Sequence, residues 1–288
     1  MSTVRKLLVT GASGFLGSCI LRLAELEKWE VCGTYLSRCP EGDTPARLHR
    51  LDLRDEVEVT ALVRDFRPDT VIHTAYSQND RSVTFGGTLA LVGACRNLES
   101  KPHFIQVSTD LVFDGVRGMY REEDQPCPVI DYGRDKLDAE RAVRENLPGA
   151  LVVRSAIIYD LRHVPSHLGF ALSAARRGET FTFFNDEFRS PVLVEELSKA
   201  LLELAVRGAS GILHIAGANR VDRWWFGVRL MRALGLSCEL ARPGSFRAKG
   251  LVRPADCSLD ASRAEKFIGM RFRGVREVFA GCGLNLEE

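Results

Sequence analysis

Two hydrophobic periodicities alternate along the first half of the chain. Short, nearly continuous apolar runs occur at KLLVT (6–10), WEVCGTYL (29–36), DTVIHTA (69–75), HFIQVS (103–108) and ALVVRSAIIY (150–159). Between them, apolar residues recur at helical spacing from Phe15 to Leu26, in DEVEVTALVRDF (55–66), in GTLALVGACRNLE (87–99) and in YGRDKLDAERAVREN (132–146). An unbroken apolar run marks a strand buried on both faces, and strands that alternate with amphipathic helices imply parallel pairing through right-handed crossovers. The predicted class is therefore α/β, with a doubly wound parallel sheet.

Beyond about residue 160 the rhythm is lost. Helices are expected at 167–177, 193–206 and 223–234, with strands at ETFTFFND (179–186) and GILHIAG (211–217). Pro, Gly and Arg crowd into RPGSFRAKGLVRP (242–254). The expected organisation is a first domain over 1–159, with parts of 190–217 packing on it. A smaller, interleaved α/β lobe over 160–288 would bind the substrate.

The turn after the first strand reads VTGASGFLGS (9–18) and spaces Gly11, Gly14 and Gly17 as G-x-x-G-x-x-G. Between a strand and a helix, glycines permit a tight turn, close approach of backbone N–H groups to a pyrophosphate, and close packing of helix on strand. The sheet is thus read as a Rossmann-type dinucleotide-binding domain. Gly11, Ser13, Gly14, Phe15, Leu16 and Gly17 are its candidate cofactor contacts. At the end of the second strand an acidic residue would select NAD through the ribose 2′-hydroxyl. GTYLSRC offers Ser37 and Arg38 instead, which favours a 2′-phosphate and hence NADP, with NAD still admissible; the alternative is that Arg38 is simply solvated. Asp52 and Leu53 follow a short third strand and are placed to meet the adenine.

Composition narrows the classes. Thirty-nine Lys and Arg nearly balance 38 Asp and Glu, so no global field draws the chain to nucleic acid or to an anionic membrane. No apolar stretch approaches the roughly 18 residues of a membrane span. The basic, apolar N-terminus is interrupted by glycines and is not read as a signal segment. None of the eight cysteines forms a C-x-x-C pair, which gives no zinc or redox-dithiol signal and suggests a reducing, cytoplasmic setting. His163 and His167 lack a nearby third ligand, and no metal is expected. Trp224 and Trp225 read as core residues.

Tyr132 and Lys136 form Y-x-x-x-K, which puts both on one helix face. A phenol titrates near 10, about three units too high for acid–base work at neutral pH, and a neighbouring ammonium lowers it. Upstream, VSTDLVFDG (107–115) sets Ser108, Thr109 and Asp110 in a row where strand gives way to turn.

Together these stretches resemble the extended short-chain dehydrogenase/reductase family over at least residues 4–217: VTGASGFLG, VIHTA, VSTDLVFDG, YGRDK and VVRSAIIY. The S-T-D-x-V-F-x-G pattern, RSPVLVEELSKAL (189–201) and RPADCSLD (253–260) are most similar to the dTDP-4-dehydrorhamnose reductase branch. The resemblance implies that Tyr132 protonates a ketone oxygen while the nicotinamide delivers hydride to the carbon. Lys136 would lower the Tyr132 pKa and hold the nicotinamide ribose. Thr109, or Ser108 beside it, would bind the ketone oxygen, and Thr74, Ala75 and Ser108 would line the cofactor path. Asp110 and Phe113 become substrate-side candidates, and Arg189 and Arg253 candidate ligands of a substrate diphosphate.

Two departures matter. YSQNDRSVTFGG (76–87) replaces the usual substrate-side loop, and Leu111 stands where dehydratases of the family carry an elimination base. The expected activity is NADPH-dependent reduction of a 4-keto-6-deoxy nucleotide sugar. The alternatives are a reductase of a non-nucleotide ketone or a non-catalytic NADP-binding subunit similar to the regulatory subunit of methionine adenosyltransferase. A small-molecule substrate is the expected partner, and a homodimer is left open.

Overall fold

The computed structural model describes residues 4–40 and 44–283. In chain order its elements begin β1 (Lys6–Thr10), α1 (Phe15–Leu26), β2 (Glu30–Tyr35), β3 (Arg47–Arg50), α2 (Glu56–Phe66), β4 (Thr70–His73), α3 (Gly87–Arg96), β5 (His103–Thr109) and α4 (Asp131–Asn146). They continue β6 (Leu151–Ser155), β7 (Ile158–Tyr159), α5 (Gly169–Arg176), β8 (Phe181–Phe184), β9 (Phe188–Arg189), β10 (Val192–Leu193) and α6 (Val194–Val206). The last are β11 (Gly211–Ile215), β12 (Val221–Asp222), α7 (Arg223–Ala233), β13 (Ala241–Gly244), α8 (Ser262–Ile268) and α9 (Val275–Gly281). The chain divides into two compact units: the first holds residues up to Thr109, 131–154 and 197–213, and the second 110–130, 155–196 and the residues from His214 on.

The first unit is built on a seven-stranded sheet of order β11-β6-β5-β4-β1-β2-β3, and every pairing from β5 to β3 is parallel. This is the Rossmann-type α/β fold expected from the alternating pattern. The register sets Leu8 between Cys32 and Val71, and Val71 beside Phe104. These side chains join Val59 and Val63 of α2, Leu91 and Cys95 of α3 and Val143 of α4 in one core. Each such apolar side chain stabilises the fold by roughly 1.5–3 kcal/mol on burial. Helix α2 starts where the Asp55 carboxylate accepts from the backbone N–H of Val57 and Glu58, and stops at Arg67, whose φ of 51° is left-handed. Strand order reverses at β1, flanked by β4 on one side and β2 on the other. In sheets of this kind the crevice beyond that reversal is the ligand site.

The second unit carries three two-stranded sheets, β10-β7, β12-β9 and β13-β8. The run 150–159, expected as one strand, splits into β6 of the large sheet and β7, which pairs in parallel with β10. Strand β8 finds its partner in β13, inside the Pro- and Gly-rich stretch that carried no strand signal. Tyr159, Phe226 and Phe279 form the aromatic centre of this unit, with ring centroids 5.5–6.3 Å apart.

Candidate active site

The glycine loop leaves β1 at the strand reversal. Gly11 has φ +72°, and a Cβ there would lie 2.9 Å from the Ala75 backbone, so the turns after β1 and β4 touch only because this residue is glycine. A Cβ on Gly17 would meet the Gly11 carbonyl oxygen at 2.2 Å. Helix α1 begins at Gly14 with no side-chain cap and no acidic residue in its first turn. Its N-terminal N–H groups, around the exposed Ser13 and Gly14 and the half-buried Phe15, therefore lack a side-chain acceptor of their own. Buried Leu16 and Gly17 fasten the helix to the sheet. These residues fit a dinucleotide pyrophosphate.

Around that loop, Thr74 donates its hydroxyl to the Thr10 carbonyl at 2.7 Å, which fixes Ala75 at the end of β4. Ser37 and Arg38 are exposed just beyond β2. Asp52 is held by the Arg54 guanidinium at 2.9 and 2.6 Å, and those hydrogen bonds keep its carboxyl below the usual range. Leu53 is buried beneath Gly87, where a Cβ would lie 2.7 Å away.

Thr109 ends β5, while Tyr132 and Lys136 project from successive turns of α4. The Lys136 ammonium, only 3% exposed, donates to the Val107 carbonyl at 2.8 Å, two residues before Thr109. Burial pulls its pKa down to about 8, against the opposing charge of Glu140. Side chains alternate across a strand, so Ser108 and Thr109 point to opposite faces. The Ser108 hydroxyl donates to Glu140, which is itself gripped by Arg154. Beneath the site, His73 lies between Thr10 (Nδ1, 2.5 Å) and Thr88 (Nε2, 3.0 Å). Burial, and then the charge of Lys136, push His73 down to about 3, so it is neutral.

In the second unit, Asp110 opens a short 3₁₀ turn and pairs with Arg189 at 3.2 Å. Two of the expected substrate contacts, Arg189 and Phe113, are buried within this unit. Arg189 is 2% exposed, donating to Glu187 at 2.9 Å and to the Phe188 and Pro254 carbonyls. Phe113 is fully buried and stacks on Tyr120 with ring centroids 4.1 Å apart. Arg253 is different: it holds Glu187 at 2.7 and 3.0 Å, yet 40% of its side chain is exposed. Burial pushes the Glu187 carboxyl up, but the Arg253 hydrogen bonds and the charges of Arg189, Arg223 and Arg253 outweigh it and hold the group low. Arg253 lines a cavity of about 570 Å³ together with Arg117, Arg220, Arg247, Phe246 and Asp186.

Sequence reasoning passed over Glu140 and Arg154. The signal for Glu140 is its position one further turn along the face that carries Tyr132 and Lys136. His163 pairs with Asp160 at 2.7 Å, His167 is a half-buried neighbour of Phe226, and among the described residues no His, Cys, Asp and Glu cluster could hold a metal. No described helix is long and apolar enough to cross a membrane.

The family model of the RmlD substrate binding domain matches residues 5–282. The chain belongs to this family. Its relatives include a probable low-salt glycan biosynthesis reductase from Haloferax volcanii, 34% identical, with 91% of each chain covered. Another is the methionine adenosyltransferase 2 subunit beta of Xenopus laevis, 32% identical, covering 95% of this chain and 86% of that one. Among solved structures, a hypothetical dTDP-4-dehydrorhamnose reductase from Sulfolobus tokodaii superposes with a TM-score of 0.78 at 28% identity, covering 98% of both chains. The dTDP-4-dehydrorhamnose reductase of Bacillus anthracis, solved with NADP, shares the fold at a TM-score of 0.80 and 19% identity, covering 98% of this chain and 99% of that one. An RmlD-family chain with these features carries the Y-x-x-x-K helix and the glycine loop in one compact unit.

Proposed function

We propose that the protein is an NADPH-dependent reductase of a nucleotide sugar bearing a 4-keto-6-deoxy group, as in dTDP-4-dehydrorhamnose. The observation that carries this reading is the Lys136 ammonium, buried beside Tyr132 and bonded to β5 two residues before Thr109. Bound NADPH supplies the hydride that reduces the ketone carbon. The Gly11–Gly17 loop holds its pyrophosphate, Ser37 and Arg38 its 2′-phosphate, and Asp52 and Leu53 border its adenine. Thr74 and Ala75 line its path.

Thr109 donates a hydrogen bond to the ketone oxygen, and Tyr132 gives that oxygen its proton. The Lys136 charge stabilises the phenolate left on Tyr132. Ser108 serves indirectly, by anchoring Glu140 on the other face of β5. Leu111 offers no base for elimination, which favours carbonyl reduction over dehydration. The arginine-rich cavity of the second unit, with Arg253 in its wall, suits the substrate diphosphate. All eight cysteines are free, which supports a reducing, cytoplasmic setting.

The likeness to the methionine adenosyltransferase beta subunit favours a second reading, a non-catalytic NADP-binding subunit. Purified protein is mixed with NADPH and dTDP-4-dehydrorhamnose, and cofactor absorbance is followed. The reductase reading expects turnover that falls at least about a hundredfold in Tyr132→Phe while NADPH binding persists. NADPH binding without turnover, together with a stoichiometric enzyme partner on purification, sinks it in favour of the second.

A further inference from the structure

Tyr76 lies in the loop between β4 and α3, in the stretch where this chain departs from its family's usual pattern. Its ring centroid is 5.6 Å from that of Tyr132, tilted by 45°. The Lys136 ammonium sits 5.6 Å from the centroid of the same Tyr76 ring. A cation at that distance from an aromatic face is attracted by the ring quadrupole, and the ring takes the place of water beside it. Tyr76 is 48% exposed, so it is no core residue.

The loop is held at several points. The Ser77 N–H donates to the Thr84 hydroxyl at 2.9 Å, and that hydroxyl donates back to the Ser77 carbonyl at 2.6 Å. Thr84 belongs to a wide π turn, Ser82–Gly86, that leads into α3. Arg81 then reaches α4, bonding Asp138 at 2.8 Å and also Asp135, the residue before Lys136. Fixed at both ends, the loop presses Tyr76 against two side chains of α4.

We propose that Tyr76 is a positioning residue of the reaction centre: its ring fixes the plane of Tyr132 and shields the Lys136 ammonium from water. This rests on the reading of Tyr132 and Lys136 as the acid–base pair. The groups facing Lys136 are Tyr132 and Glu140 of its own helix, the Val107 carbonyl of β5, neutral His73 of β4, and Tyr76. Tyr76 can be replaced without cutting a hydrogen bond to the lysine or altering a formal charge beside it, and without disturbing the buried hydrogen bonds that His73 makes to Thr10 and Thr88. Removing the ring admits water, which favours the charged ammonium and raises its pKa; the lost ring attraction acts the other way but is smaller than the desolvation it replaces.

The test is isotopic acetylation of the cofactor-free protein across a pH series, read at Lys136 by mass spectrometry. Wild type and Tyr76→Phe should label with one midpoint. Tyr76→Ala should show a midpoint about one pH unit higher, so that below both midpoints its rate, taken relative to its own alkaline plateau, is about tenfold lower than that of wild type. Should the alanine variant fail to fold, Tyr76→Val, which restores part of the side chain yet still leaves the space beside the ammonium to water, is expected to shift in the same direction. A midpoint unchanged from wild type in the folded variant overturns the proposal. If kcat/KM is measurable, its alkaline limb should move with the labelling midpoint. If wild type reduces no ketone at all, the acid–base reading fails, while the labelling comparison still decides whether Tyr76 shields Lys136.

Discussion

Arg154 grips Glu140 at 2.8 Å (Nη2 to Oε2) and 3.1 Å (Nε to Oε1), and each side chain is only 2% exposed. The pair ties β6 to α4 and, through Ser108, to the end of β5. A buried guanidinium that loses its carboxylate is left uncompensated, so Glu140→Gln should destabilise the fold by about 3–5 kcal/mol. Urea unfolding with an unchanged m value is the measurement. The same variant removes the negative charge that holds the Lys136 pKa up, so the lysine should titrate lower still. The alkaline limb of kcat/KM then moves to lower pH.

Lys136 has a further consequence for pH dependence. Its pKa falls from 10.5 to about 8 on folding, so between those values the unfolded chain binds the extra proton. Stability therefore rises with pH across that window. Below pH 8 the buried ammonium costs roughly 3 kcal/mol, an order-of-magnitude figure before its bond to Val107 is counted. Chemical denaturation of wild type and Lys136→Met from pH 7 to 10.5 should show wild type gaining on the variant as pH rises. Parallel curves would contradict the assigned burial. In activity, kcat/KM reports the free enzyme and should decline above about pH 8 as the charge is lost.

What was legible from sequence was local and periodic. KLLVT, DTVIHTA and HFIQVS read as strands because they are buried on both faces, and Tyr132 and Lys136 read as a pair because one helical turn joins them. Partnerships between distant segments left no such trace. An arginine in isolation reads as a surface residue, and only the folded chain brings Asp110, far off in sequence, to Arg189. Strand β13 lies in a Pro- and Gly-rich stretch and owes its conformation to pairing with β8, not to its own propensity. Tyr76 belongs to no periodic pattern, so its meeting with Tyr132 became visible only with the loop in place.

Two glycines separate cofactor geometry from helix propensity. At Gly17 an added methyl would meet the Gly11 carbonyl at 2.2 Å, so Gly17→Ala must displace the loop that cradles the pyrophosphate. At Gly93, inside α3, it would meet nothing within 4 Å. Gly93→Ala should therefore raise stability by up to about 1 kcal/mol and leave cofactor binding alone. Titration of NADPH fluorescence is expected to show binding weakened at least about tenfold in Gly17→Ala, with Gly93→Ala as the matched control.

Arg189 and Arg253 share Glu187 but should fail in different ways. Arg189 is 2% exposed between Asp110 and Glu187, and its loss takes the guanidinium from buried Asp110, while Glu187 keeps Arg253. Arg189→Ala is expected to cost about 3–5 kcal/mol of stability, seen as a lowered urea midpoint. Arg253 is 40% exposed at the cavity wall, and without it Glu187 still keeps Arg189. Arg253→Ala should therefore lower stability by no more than about 1–2 kcal/mol. Its effect should fall on ligand affinity: dTDP binding, measured by calorimetry, weakens about tenfold and loses part of its salt dependence. If dTDP binds Arg253→Ala as tightly as wild type, the arginine-lined cavity is not where the diphosphate sits.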